Sequence, residues 1–369
     1  MQVVKFEESS FSNAKNIKQL NLFINGVGNV GKKLLEQIIK QKKYLETRLN
    51  LQIRIVGISN SKKMIFDSNS IKLSDWQNEL NNGEDSNPAK FISKTKELNL
   101  KNSIFIDNTA SQLIASQYQY YLKSRINVVT CNKIACSNSY SNYQNLKDLA
   151  QQYGASFLFE TNVGAGLPVI DTLNNLVASG DKIISIQAVL SGSLNYIFNN
   201  FKKEDTFHEI VQNAMNEGYT EPDPEIDLSG IDVARKILIL ARESGEKIEL
   251  SDINNKSFLP KKCKNLKNNN NFVESLRNHS AHFNEILKKA NKEKCKIRYV
   301  AEFSNGKAKV ELKNIPKGHD FYNLDGSDNI VLFYTERYLN QPLIVKGAGA
   351  GGEVTAAGVF ADIIRIGKQ

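Results

Sequence analysis

Apolar residues follow two rhythms along this chain, and the way they alternate predicts its architecture. Leu22, Phe23 and Ile24 form a continuous apolar strand, whereas Leu34, Leu35, Ile38 and Ile39 recur at the three-and-four spacing of a helix facing a core. A second strand reads Leu51 to Ile58, rich in β-branched residues. Ser103 to Ile106, Asn127 to Thr130 and Phe157 to Phe159 add three more. Strands separated by helical stretches predict parallel pairing through crossover helices, so the first half of the chain reads as an α/β doubly wound sheet. Further on, Ile183 to Leu190, Ile297 to Phe303 and Lys309 to Leu312 predict strands of an open mixed sheet in a second, α+β unit.

The turns after these strands carry the candidate chemistry. The first strand runs into Gly26-Val27-Gly28-Asn29-Val30-Gly31, a G-x-G-x-x-G in strand-turn-helix context. The first glycine permits the tight turn, the second lets backbone approach a pyrophosphate, and the third lets helix pack on strand. The helix N-terminus then faces the phosphates. This predicts a dinucleotide site on a Rossmann-type sheet. The second strand ends in Ser59-Asn60-Ser61-Lys62-Lys63, without the acidic residue that an NAD-selective site places on the ribose hydroxyl. Ser59, its small polar neighbours and the two lysines suit a 2′-phosphate, which favours NADP and leaves NAD as the alternative. Asp107 to Ser111, Cys131-Asn132-Lys133 and Glu160 to Pro168 follow successive strand ends, on the rim where ligands bind in such sheets.

Residues 217 to 245 carry the densest polar signal. Glu221, Asp223, Glu225 and Asp227 crowd a loop stiffened by Pro222 and Pro224, and a helix follows, capped near Ser229 and stopped at Gly245. Asp232 and Lys236 project from one face of that helix, while Val233, Ala234 and Ile237 to Leu240 are apolar. A carboxylate and an ammonium in such company are costly unless paired or used. As an isolated pair they would read equally well as a structural ion pair, and the acidic loop upstream favours a polar substrate pocket.

Together these stretches resemble the homoserine dehydrogenase family, in particular the dehydrogenase half of bifunctional aspartokinase–homoserine dehydrogenases. Leu190-Ser191-Gly192-Ser193-Leu194-Asn195-Tyr196-Ile197-Phe198, Gly218 to Lys236 and Gly347 to Asp362 complete the likeness, which runs from about residue 20 to the end of the chain. The resemblance implies reversible NAD(P)H-dependent reduction of L-aspartate 4-semialdehyde to L-homoserine, in threonine and methionine biosynthesis. It makes Lys236 the general acid, Asp232 its orienting partner and a substrate contact, and Lys133 a charge near substrate and nicotinamide. Glu221 and Asp227 become further substrate contacts. Thr109, Gly218 and Gly351 join the glycine loop at the cofactor. Glu160, Val163, Ala165 and Leu167 match a monovalent-cation site (sodium or potassium) built mainly of backbone carbonyls. The family also implies a homodimer. A kinase region and an added sensor domain are not expected, because about twenty residues precede the glycine loop and the chain stops soon after Asp362.

Composition sharpens this only at the edges. At 369 residues two domains are expected. The reading assigns 18–160 plus 337–369 to the nucleotide domain, 161–336 to a substrate-binding, catalytic and dimerisation domain, and 1–17 to an N-terminal arm. No apolar run reaches membrane-spanning length and no signal-peptide core opens the chain, so a cytoplasmic protein without membrane contact is expected. Cys131, Cys136, Cys263 and Cys295 lack zinc or redox spacing. The formal charge is +9, and residues 261 to 300 hold eleven basic side chains against Glu274, Glu285 and Glu293. A basic, loop-rich insertion at 261–296 could bind polyanions. Sparse aromatic interleaving and the Asn268–Asn271 run instead point to a solvated segment and against nucleic acid. A related Rossmann dehydrogenase for another short amino-acid aldehyde, and a catalytically degenerate homologue, stand as the alternatives.

Overall fold

The computed structural model describes residues 17–220, 223–264, 266 and 268–369. The first sheet contains β1 (Lys18–Asn25), β2 (Leu51–Ser59), β3 (Lys63–Phe66), β4 (Glu84–Asp85), β5 (Ser103–Asp107), β6 (Asn127–Thr130) and β7 (Phe157–Leu158), in the order β4-β3-β2-β1-β5-β6-β7. β2, β1, β5, β6 and β7 are parallel, and β3 and β4 form an antiparallel edge. The progress of the sheet reverses between β1 and β5, and the crevice at such a switch point is where doubly wound sheets bind ligands. Register keeps the rim level: Asn25 pairs with both Ser59 and Asp107, and Asp107 with Thr130.

The second sheet is mixed, in the order β13-β12-β8-β10-β11-β9, from β8 (Ile183–Val189), β9 (Asn254–Lys256), β10 (Lys296–Ser304), β11 (Lys307–Ile315), β12 (Asp328–Thr335) and β13 (Leu343–Ala348). All its pairings are antiparallel except β9 with β11. The fold is thus a Rossmann-type sheet joined to a second unit with an open mixed sheet.

Four local expectations need correction. Leu343–Ala348 does not return to the nucleotide unit; it is an edge strand of the mixed sheet, held along β12, and only the helix Gly352–Lys368 goes back to pack on the helix Asn29–Tyr44. The acidic proline loop is in part helical: Asp223 accepts the Glu225 N–H and Pro224 sits at the first position, so Pro224–Leu228 makes a short helix. Proline favours that position because its missing N–H has no partner there anyway. The helix that bears Asp232 and Lys236 starts after this, at Ile231, with Gly230 rather than Ser229 as its N-cap. The 261–296 segment is not loop-rich either. Asn268 caps a helix Asn269–Asn278, which buries Phe272 and Leu276, and a second helix runs Ser280–Lys292. The asparagine run is a helix start because its first side chain supplies the capping oxygen. Glu221, Pro222 and the Met1–Asn16 part of the expected arm lie outside the described residues.

Helix Ile231–Glu243 is buried along Val233, Ala234 and Ile237 to Ala241. Each large apolar side chain removed from water in this way contributes roughly 1.5–3 kcal/mol, so the helix is a fixed platform rather than a surface element. Gly230, at φ +76°, lies so close to the Tyr299 ring on β10 that any side chain there would collide with it. That contact seats the start of the helix on the mixed sheet.

Candidate active site

The glycine loop is crowded on one side and open on the other. A side chain at Gly26 (φ +90°) would meet Asn108 backbone and Thr109 at 2.9 Å, and one at Gly31 would collide with the Gly26 carbonyl. At Gly28 nothing lies within 4 Å. Backbone therefore presents itself to open space at the start of the helix Asn29–Tyr44, as a phosphate requires. A side chain at Gly352 would press on Asn29 at 3.3–3.4 Å, so the helix Gly352–Lys368, whose N-cap is Gly351, begins beside it. Neither helix start carries a side-chain cap among the described residues, so two positive helix ends converge on one place. Asn108 Nδ2 and Asn25 Nδ2 are buried there without a hydrogen-bond partner among the described residues. These features fit a bound dinucleotide phosphate.

The rim is braced by Asp107, a residue whose role the sequence pattern does not single out. It is fully buried; Oδ1 accepts the Thr109 N–H at 2.8 Å, and Oδ2 accepts the Tyr118 hydroxyl at 2.6 Å and Asn132 Nδ2 at 3.0 Å. Burial pushes the Asp107 carboxyl up, and hydrogen bonds from Thr109, Tyr118 and Asn132 offset part of that rise. Thr109 is thereby held over the glycine loop and Asn132 beside Lys133. A general signal could still have found it: a lone acid ending an apolar strand needs donors. Ser59 is different from expectation in detail. Its side chain turns to the Asn60 carbonyl and Ser86, and its own carbonyl accepts the Gly26 N–H at 2.8 Å. Lys63 starts β3 and pairs with Asp85 at 3.0 Å, which leaves exposed Lys62 at the turn.

Asp232 is gripped from two sides. Lys236 Nζ lies 2.7 Å from Oδ2 and Lys133 Nζ 3.5 Å from Oδ1. Burial alone would raise the Asp232 carboxyl; Lys133 and then Lys236 outweigh it and hold it well below the usual carboxylate range. Lys236 also donates to the Leu190 carbonyl at 2.7 Å, so among the described residues two of its three N–H donors are engaged. The same turn reaches Asp227, which accepts the Ser193 hydroxyl at 2.7 Å, while Ser191 contacts Ser193 at 3.0 Å. Residues far apart in sequence thus share one polar floor: Lys133 from the rim of the first sheet, Ser193 and the Leu190 carbonyl after β8, and Asp227, Asp232 and Lys236 from the helical pair. The Leu190 carbonyl could not be read from sequence because a backbone group leaves no residue signature. Gly218 (φ +75°) closes the helix Phe207–Asn216, where the Tyr219 N–H returns to Ala214, so its left-handed backbone already has a local cause.

The Glu160–Pro168 loop forms a second charged cluster. Glu160 is 4% exposed and its carboxylate caps the helix Val169–Ala178, accepting the N–H groups of Ile170 at 2.6 Å and Asp171 at 2.9 Å. Asp362, fully buried, accepts the Glu160 N–H, and Arg365 reaches Asp362 at 2.9 Å, Asp171 at 3.0 Å and Glu160 at 3.9 Å. Burial pushes Asp362 up to about 7 despite Arg365. Val163 and Ala165 are buried, and Gly164 and Ala165 both have positive φ, which curls the backbone between the two units.

A dinucleotide-type loop at a switch point, with two lysines around one carboxylate nearby, places the chain among α/β proteins with a Rossmann-type nucleotide domain. Comparisons narrow it. Family models for "Homoserine dehydrogenase, NAD binding domain" and "Homoserine dehydrogenase" match residues 26–160 and 168–364. The homoserine dehydrogenase of Schizosaccharomyces pombe is 41% identical over 364 residues, covering 95% of this chain and 96% of its own. A bifunctional aspartokinase/homoserine dehydrogenase of Haemophilus influenzae is 40% identical over 99% of this chain, which spans 44% of that protein's length. Among solved structures, a Candida auris protein of unknown function matches with TM-score 0.86, 32% identity and coverage of 95% and 99%. A hyperthermophilic archaeal homoserine dehydrogenase in complex with NADPH matches in fold, at TM-score 0.74, 24% identity and coverage of 95% and 98%. The chain belongs to the homoserine dehydrogenase family.

Proposed function

We propose that this protein catalyses the reversible, NADP(H)-favouring reduction of L-aspartate 4-semialdehyde to L-homoserine, with NAD(H) as the alternative cofactor. The observation that carries the reading is the placement of Asp232 between Lys236 and Lys133 beside a dinucleotide-type rim. Two ammoniums flank the one carboxylate of Asp232, and this local positive charge suits an oxygen that becomes anionic during reaction. Lys236, fixed by Asp232 and the Leu190 carbonyl, offers its remaining N–H to the carbonyl oxygen of the aldehyde and acts as general acid. In the reverse direction it accepts the proton of the alcohol. Lys133 stabilises the developing alkoxide, Asp232 orients both lysines, and Asp227 supports the pocket. Glu221, outside the described residues, is assigned to the substrate ammonium by family resemblance.

The bound nicotinamide supplies or receives the hydride. Its diphosphate would be held by Gly26 to Gly31 with Thr109 and Gly351, and Gly218 is kept among its contacts. Ser59 positions the ribose end, where Lys62 suits a 2′-phosphate. Glu160, Val163, Ala165 and Leu167 would hold a monovalent cation through backbone carbonyls, a role supported by the curled loop and the acid-rich surroundings. Edge strand β13, with alternate residues exposed, supports pairing of mixed sheets in a homodimer. Among the described residues no helix is long and apolar enough to cross a membrane, in keeping with the proposed cytoplasmic location.

The test is the reduced-nicotinamide absorbance with purified protein, L-homoserine and either NADP+ or NAD+. Homoserine-dependent reduction, faster with NADP+, is expected. Absence of signal in both directions, with sodium or potassium present, would refute the reading.

A further inference from the structure

Lys133 and Lys236 reach Asp232 from different parts of the fold, so some element must set the distance between them. The helix Ile231–Glu243 carries Asp232 and Lys236 near its start and Arg242 near its end. The Arg242 side chain is fully buried. All five of its N–H donors are used. Nε and Nη2 donate to the Ile248 carbonyl at 3.1 and 3.0 Å, and Nη1 donates to the carbonyls of Cys136 and Asn138 at 2.8 and 2.7 Å. Nη2 also donates to Glu249 Oε2 at 3.0 Å.

Those acceptors tie Arg242 to the turn that bears Lys133. Lys133 starts the helix Ile134–Ser137, and its carbonyl accepts both the N–H and the hydroxyl of Ser137, making one rigid turn that ends at Cys136 to Asn138. Both Glu249 oxygens accept the Tyr140 N–H at 2.9 and 3.0 Å, fixing the start of the helix Tyr140–Tyr153. The neighbouring Glu243 binds Lys147 at 2.9 and 3.0 Å and accepts the Tyr143 hydroxyl. The helix is therefore seated on the mixed sheet at Gly230 and bolted to the Lys133 side at Arg242 and Glu243.

We propose that Arg242 is a positioning residue that sets the Lys133–Asp232–Lys236 spacing by clamping the catalytic helix to the Lys133 turn. It acts through Lys133 rather than on substrate, and this rests on the dehydrogenase reading above. A guanidinium spans the Ile248 carbonyl and the Cys136 and Asn138 carbonyls with one flat fork; an ammonium in its place satisfies only part of that set.

The experiment is a double-mutant cycle of Arg242→Lys with Lys133→Met, read as kcat, KM and NADPH affinity by fluorescence titration. Arg242→Lys is expected to lower kcat by roughly ten- to a hundredfold, the size of effect that small misplacements of reacting groups produce. NADPH affinity stays within about twofold, and in the Lys133→Met background the same change costs less than about twofold, because coupled residues are not additive. Equal losses in both backgrounds, or loss of NADPH affinity in step with kcat, would mean a merely structural role and overturn the proposal. Glu249→Gln is the milder second variant and should show the same coupling at smaller size. Amide exchange gives a readout independent of turnover: amides 134–140 should exchange faster in Arg242→Lys while those of 29–44 are unchanged. Unaltered exchange at 134–140 overturns the clamp, whereas an inactive wild-type protein with altered exchange would refute only the assigned reaction.

Discussion

Two charge clusters in this fold carry opposite balances, and the one around Asp232 is half-buried while Asp362 lies deep. Around Asp232, one carboxylate meets two lysines; around Asp362, three carboxylates (Glu160, Asp171 and Asp362) share one arginine. Burial pushes both aspartates upward, yet Asp232 ends well below the usual range and Asp362 at about 7. The count of opposite charges within reach, together with the greater depth of Asp362, decides the outcome. The proposed role of the first cluster, with two lysines to one carboxylate, is to meet a developing oxyanion. The second, with three carboxylates to one arginine, surrounds the loop proposed to hold a cation.

The first cluster should break most severely. Lys236→Met removes the proposed acid, and steady-state turnover is expected to fall about a hundred- to ten-thousandfold with NADPH affinity nearly unchanged. Retention of wild-type kcat would remove Lys236 from the mechanism. Gly28→Val comes next. The space around Gly28 is open, so the branch meets no neighbouring atom in the fold. NADP+ affinity should nevertheless fall on the order of a hundredfold, since a blocked phosphate cradle forfeits its N–H contacts. Calorimetric titration beside a melting curve distinguishes this from unfolding.

The second cluster makes a pH prediction. An unfolded aspartate titrates near 3.9, and Asp362 in the fold near 7, so the native state holds this proton more tightly. Its stabilising contribution is full below about pH 4 and is lost as pH rises through about 7, a change of at most about 4 kcal/mol. Asp232 works in the opposite sense: its contribution is present above about pH 4 and is lost as pH falls through its depressed folded value. In choline buffers, melting temperature should therefore fall between pH 5 and 8, and Asp362→Asn should flatten that limb. Sodium or potassium should restore part of the loss at pH 8; if neither ion raises the melting temperature, the cation role of this loop is withdrawn. The smallest effect is expected at the ribose end, where Lys62→Glu should shift the NADP+/NAD+ ratio of kcat/KM toward NAD+ by about tenfold, the worth of one modest charge contact.

What sequence could show divides along the same physical lines. The glycine loop was legible because its three glycines act within six residues, and local geometry alone requires them. The Asp232–Lys236 pair was legible for a similar reason, since four residues on a helix share a face. Family resemblance placed Lys133 near the substrate, but its contact with Asp232 was not legible, because no local pattern links a strand-end turn to a helix far along the chain. β13 was misplaced: its strand pattern is the same whether it edges one sheet or the other, and pairing with β12 depends on long-range register. The helix starts at Pro224 and Asn268 were hidden by residues that favour turns and caps equally, and only the following apolar contacts, such as Phe272 and Leu276, decide between them. Arg242 and Arg365 stood in apolar stretches, where a buried cation signals fixed acceptors without naming them.

The most direct test of the account is a single-turnover experiment with L-homoserine and NADP+, run on the wild-type protein and on Lys236→Met with cofactor saturating. Rapid appearance of the reduced-nicotinamide band in the wild type, slowed at least about a hundredfold in the variant at equal cofactor occupancy, is the predicted result. Equal rates in the two proteins, or no reduction by the wild type, would contradict the claim that the two lysines around Asp232 form the catalytic centre.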